Sequence, residues 1–315
     1  MAYATGIANS AADLRTAVVN LATANGWTWD SANEMLHKTP VFGKLTVSGL
    51  KVAIQGALGY SGSTLTSPSG VSTCLRETYT GTGVVALSYP LTYHIFLHTA
   101  PDGIVVAVNY GAVWWQWLGL GLGTPTGGGT STPLWHWGTS EIASSDSGVG
   151  LNLEGSGAGT AGGTSGVPFW RAGCGYPVPN SAIYTGGVDG LGTNGWYLTV
   201  NTFAGNGGTP GKALANEAAQ ELLKTQPNTW NGEALLARIH VLLARPSGFR
   251  AYCAELPHMR FTRNDNLSDG QIVTIGSDKW FVAPGYRKNT AVRDGTNGPT
   301  SHSGTIAVAI RYDGP

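Results

Sequence analysis

The strongest constraint on this chain is the rhythm of its apolar residues. Short runs such as "KLTVSGLKVAIQG", "LTYHIFLH", "GIVVAVNY", "GWYLTVNTF", "LLARIHVLLARP" and "GTIAVAIRYD" recur along it, each bounded by turn-forming residues. Runs of this length, rich in β-branched and aromatic residues, build strands. "LTYHIFLHTAPDGIVVAVNY" is a predicted hairpin, because Pro101-Asp102-Gly103 has turn chemistry. "QIVTIGSDKWFVAP" is a second, turning around 276–278.

Two stretches carry a helical period instead. In residues 10–26 Ser10 and Asp13 have capping-box spacing, Leu14, Val18, Leu21 and Ala22 line one face, and Asn25-Gly26 supplies a stop. In residues 209–227 Thr209 can cap, Pro210 suits the first turn, Leu214, Ala218, Leu222 and Leu223 form a stripe, and Pro227 ends it. The expected fold is α+β: mainly antiparallel β-sheet with two helices packed on it and a long Gly-rich loop or arm. That arm spans 119–168, where Gly, Ser and Thr dominate and few residues can support a core. It divides the chain into a helix-plus-sheet lobe at 1–118, the arm at 119–168, and a β-rich lobe with one helix at 169–315, which can be continuous with the first lobe.

A chain of 315 residues buries a large core without disulfide or metal staples. Its three cysteines, Cys74, Cys174 and Cys253, lie far apart and read as reduced core residues. No apolar run approaches the roughly 20 residues of a membrane span, and the first residues lack a signal-peptide pattern, so no membrane insertion is expected and synthesis is placed in the cytoplasm. Eighteen basic residues balance eighteen acidic ones, which leaves no net field for free nucleic acid. Residues 52–211 hold only Arg76, Arg171 and six acidic side chains. Such a span is either surface covered by neighbouring subunits or an all-β surface of neutral polar residues.

Motifs of catalysis are weak. "GLGTNG" at 190–195 matches GxGxxG, but a strand rather than a helix follows it, and "GTGVVA" at 81–86 fails the same test. "NDNLSDG" at 264–270 has calcium-loop spacing at Asp265, Asp269 and Gly270, yet Leu267 and Gly276 stand where ligands belong. His94 and His98 sit on one strand, four residues and about 13 Å apart, too far for one zinc ion. No GxSxG serves a serine nucleophile. The expectation is therefore no enzyme, no cofactor and no metal. Eleven tryptophans, concentrated in "VWWQWLG" and "WHW", fit core, subunit contacts or a platform for sugar rings.

The C-terminal stretches "GQIVTIGSDKWFVAP", "YRKN" and "HSGTIAVAIRYDGP" resemble the ends of structural proteins of tailed bacteriophages. "DLRTAVVNLATANGW", "YHIFLHTAPDGIVVAVNY" and "WQWLG" resemble the front of the same family, whose likeness fades over 124–195. The resemblance implies a non-enzymatic virion component of tail tip, baseplate or collar, present in several copies, with identical subunits and other tail proteins as partners. A host-surface glycan-binding module of the virion is the alternative.

Against this background, "SDKWFVAPGYRKNTAVRDG" at 277–295 stands out for its charge. From Arg238 to the end of the chain ten basic residues face six acidic ones, so this third is +4 and the remainder −4. Complementary patches on one chain suit packing of identical subunits, with charge fixing register, while a solvated loop carrying "YRKN" is the other reading. The predicted assembly contacts are Arg287, Lys288 and Arg293, with Trp135 and Trp137 as aromatic anchors in the arm.

Overall fold

The computed structural model describes residues 1–69, 72–75, 87–126, 133–141, 235–244, 250–291 and 303–314, with 233, 293 and the short pieces 149–150, 164–165, 181–185, 195–198 and 213–214. Three sheets dominate it. The central sheet has seven antiparallel strands in the order Ala2–Ala8, Leu91–His98, Gly103–Tyr110, Trp114–Leu122, Leu134–Gly138, Ser181–Thr185, Gly195–Leu198. A second sheet runs Ala213–Leu214, Ala237–Ala244, Arg250–Arg263, Ile306–Tyr312, Asp278–Pro284, Gln271–Ile275. A third runs Ser140–Glu141, Thr73–Leu75, Lys51–Ala57, Val41–Ser48, Met35–Lys38, Thr28–Asp30. The central sheet thus draws strands from all three predicted segments.

The layers follow from which face each side chain takes. On one face of the central sheet Phe96, Val105, Ala107, Trp115, Trp117, Trp135 and Trp137 pack against Ile239, Met259, Phe261, Phe281, Val308 and Ile310 of the second sheet. On the other face Ile95, Leu97, Ile104, Val106, Leu118 and Leu120 pack against Leu14, Val18, Leu36, Leu45 and Ile54 of the helix and third sheet. Both faces are therefore covered, and "GIVVAVNY" needs a nearly continuous apolar run to fill them. The two predicted hairpins form: Gly103–Tyr110 pairs with Leu91–His98, and Gln271–Ile275 with Asp278–Pro284.

Among the described residues there is one α-helix, Ala11–Thr23. Ser10 caps it by accepting the Asp13 N–H at 3.1 Å, and the Asp13 carboxylate reaches back to accept the Asn9 N–H at 3.0 Å. Gly26 follows at φ +83°, a left-handed conformation that ends the helix. The second predicted helix, 209–227, lies outside the described residues except at Ala213–Leu214, which form a short strand on Leu242 and Leu243. Among the described residues the architecture is β-rich with a single helix.

The expected arm needs correction where it is described. Trp114–Leu122 and Leu134–Gly138 are adjacent strands in the middle of the central sheet, and Thr124–Pro125 pairs with the second sheet. The reason lies in "LGLGL". Leu118, Leu120 and Leu122 face the helix side, while Gly119 and Gly121 face the second sheet beneath the Trp135 and Trp137 rings. A methyl at Gly119 would sit 3.0 Å from both indoles, and one at Gly121 would sit 2.6 Å from the Gly103 Cα. These glycines make room for tryptophan; they do not loosen the chain. The rest of 119–168 lies outside the described residues, save the parallel pair Val149–Gly150 with Thr164–Ser165.

Candidate functional site

The charged C-terminal loop links two neighbouring strands of the second sheet. Asp278–Pro284 pairs along Ile306–Tyr312, which aims the following residues across the end of both strands. The backbone then locks down: Ser303 N–H donates to Arg287 O at 2.8 Å, Asn289 N–H to Gly304 O at 2.7 Å, and Trp115 N–H to Tyr286 O at 2.7 Å. The last of these ties the loop to the central sheet.

Each of the three predicted basic contacts has a partner within the chain. The Arg287 guanidinium lies 4.8 Å from the Trp114 ring centroid, a cation–π contact. Lys288 Nζ donates to Leu267 O at 2.7 Å, holding the 264–270 turn. Arg293 Nε stands 3.5 Å from an Asp265 carboxylate oxygen, and Arg263 Nε 3.4 Å from the other. Asp265 is 5% exposed and Arg263 2%, whereas Arg293 is 41% exposed. The pair at the centre is thus desolvated, and Arg293 closes it from the solvent side. Arg263 also donates to Thr305 Oγ1 at 2.9 Å, which joins the turn to the Ile306–Tyr312 strand. The loop with calcium-like spacing is surrounded by Arg263, Lys288 and Arg293, cations that oppose a bound divalent ion. Among the described residues no three His, Cys, Asp or Glu side chains converge as metal ligands.

Trp135 and Trp137 go elsewhere. They are 3% and 0% exposed and belong to the core between the central and second sheets. Trp137 stacks on Trp117 at 5.7 Å and 23°, and Trp117 Nε1 donates to Pro284 O at 3.1 Å. The aromatic anchors for a neighbouring chain are therefore anchors within this one. Flat indoles over glycine give close packing inside the chain, and no ring face is left for a partner or a sugar. Arg287, Lys288 and Arg293 come together at one loop; the two tryptophans are not part of it.

Sequence reasoning missed a cross-sheet histidine pair. His98, on the central sheet, donates from Nε2 to Arg311 O of the second sheet at 3.0 Å. His258, on the second sheet, donates from Nε2 to Pro101 O in the central hairpin turn at 3.1 Å. Their rings stack at 4.3 Å and 9°. Burial holds His98 down at about 3 and His258 at about 4; the facing His258 ring adds to it for His98 and the Arg311 charge for His258, while the carbonyl that each ring bonds works the other way. Both rings are neutral donors near pH 7. The four-residue spacing that linked His94 to His98 is immaterial, since His94 instead bonds the Tyr3 hydroxyl at 2.8 Å. No spacing rule could find a partner 160 residues away.

The described surface also has an open groove of about 240 Å³ where the first strands of the central sheet end, between Ile7, Leu91, Tyr110 and Ala112. Comparison with protein-family models gives no match, and comparison with curated proteins gives none either.

Proposed function

We propose that this chain is a non-enzymatic structural subunit of a tailed-phage virion, placed in the tail tip, baseplate or collar and present in several copies. The observation that carries the reading is the resemblance of "GQIVTIGSDKWFVAP", "YRKN", "HSGTIAVAIRYDGP" and the "YHIFLHTAPDGIVVAVNY" hairpin to that family. What supports it in three dimensions is that these separated stretches build one continuous core. Phe281 touches Phe96 at 5.1 Å and His94 at 4.7 Å, and Trp117 bonds Pro284. The stretches that carry the likeness are thus a single folding unit. The virion would be the site of action, after synthesis in the host cytoplasm.

Peptide mass spectrometry and immunogold labelling of purified particles test this. The chain should appear in particles at several copies, with gold at the tail; its absence from particles freed of lysate would refute the reading. The glycan-binding alternative loses its two named platforms, because neither Trp135 nor Trp137 presents a ring face to solvent. A glycan array on the free chain should accordingly show no binding that depends on them.

A further inference from the structure

The strand Ala2–Ala8 forms one edge of the central sheet. Its inner side pairs residue for residue with Leu91–His98, from Ala2 opposite Leu97 to Ala8 opposite Leu91. Among the described residues nothing pairs with its outer side. Edge strands are normally guarded by charge, proline or a bulge, because their free N–H and C=O groups template another strand. "AYATGIA" has no charged side chain and no proline, and the first charged side chain in the sequence is Asp13. Of the other sheet edges, Thr28–Asp30 carries Asp30 and Ser140–Glu141 carries Glu141, whereas Gln271–Ile275 and Gly195–Leu198 also lack charge and proline.

We propose that the outer edge of Ala2–Ala8 is a self-association surface, where two copies of this chain pair antiparallel about a two-fold axis through Thr5. The proposal rests on the reading of the chain as a repeated subunit and names the surface through which copies meet. The register follows from the sequence, which is nearly symmetric about Thr5. Two-fold pairing sets Ala2 against Ala8, Tyr3 against Ile7, Ala4 against Gly6 and Thr5 against itself. Aromatic against β-branched and threonine against threonine are favourable cross-strand pairs, and the residues of the other face, Ala2, Ala4, Gly6 and Ala8, are small. Ile7 is 68% exposed in the single chain, a cost that the partner's Tyr3 removes. Such a contact is isologous, so it closes at two copies and joins two central sheets into one.

Sedimentation over a concentration series reads the mass directly. The native chain should move from 32.7 kDa toward about twice that value. Ile7→Lys, at an exposed position, should keep the native circular dichroism and stay at monomer mass. Thr5→Cys should give a disulfide-linked dimer on mild oxidation, and the link should vanish when combined with Ile7→Lys. A native chain that remains monomeric at every concentration overturns the proposal, as does self-association that Ile7→Lys leaves unchanged. In the second case, or if the free chain is monomeric yet abundant in particles, the subunit reading stands and only the edge is wrong; absence from particles removes the reading itself.

Discussion

At the scale of single residues, the core between the central and second sheets depends on pairing flat indoles with absent side chains. Gly121 has no space for a methyl, since the atoms it would meet are backbone, the Gly103 Cα at 2.6 Å and the Asp102 carbonyl oxygen at 2.8 Å. Backbone yields less readily than a side chain tip, so Gly121→Ala should destabilise the fold by about 1–3 kcal/mol. Urea unfolding followed by tryptophan fluorescence would show the midpoint fall at unchanged slope. Asp265 presents the electrostatic counterpart. Its removal leaves Arg263 charged at 2% exposure, so Asp265→Ala should cost about 3–5 kcal/mol, and a loss under 1 kcal/mol would mean that solvent reaches the pair. Neither dependence was legible beforehand. Trp135 and Trp137 look the same in a sequence whether a neighbour or the chain's own sheet covers them, because burial of an indole stabilises either arrangement by the same physics.

Among the elements, local signals were readable where the chemistry is local. The helix start rests on Ser10 and Asp13 three residues apart, its end on Gly26, and the structure uses both. Ser10→Ala should therefore cost about 1 kcal/mol, seen as a lower thermal midpoint, while Ser10→Asp should hold it. The Pro101-Asp102-Gly103 turn was equally plain. The segment after Trp117 misled because its glycine content suggested a linker, although the strict alternation of leucine with glycine in "LGLGL" is a strand pattern with one face kept bare. Composition averages over both faces of a strand, and periodicity separates them. The pairing of Lys288 with Leu267 O, or of His98 with Arg311 O, has no local signal, since it depends on how two sheets are laid together.

For the molecule as a whole, sandwiching the central sheet explains the absence of charge from its strands Leu91–His98, Gly103–Tyr110, Trp114–Leu122 and Leu134–Gly138. Strands between residues 91 and 138 are buried on both faces by other layers of the same chain, so charge there would have no solvent to meet. The same burial encloses histidines that must stay neutral. His98 and His136 are held down at about 3, and His94 and His258 at about 4, in each case chiefly because burial disfavours the charged ring. Unfolded, each would titrate near 6.5. Above that value neither state binds a proton, and stability does not depend on these rings. As pH falls below it, the unfolded chain takes up protons that the folded chain refuses, so stability drops by up to about 1.4 kcal/mol per histidine per pH unit. The loss continues until the folded rings themselves titrate near 3 to 4. Four such rings approach about 5 kcal/mol per unit, against a total stability of about 5–15 kcal/mol for typical domains. The fold should thus be steady from pH 8 to 7 and weaken steeply between pH 6 and 5, before most carboxylates begin to titrate. Thermal unfolding across that range measures it. Replacing His258 with Asn should flatten the slope by one ring's share, and a midpoint that stays constant from pH 7 to 5 would show that these imidazoles are not held neutral.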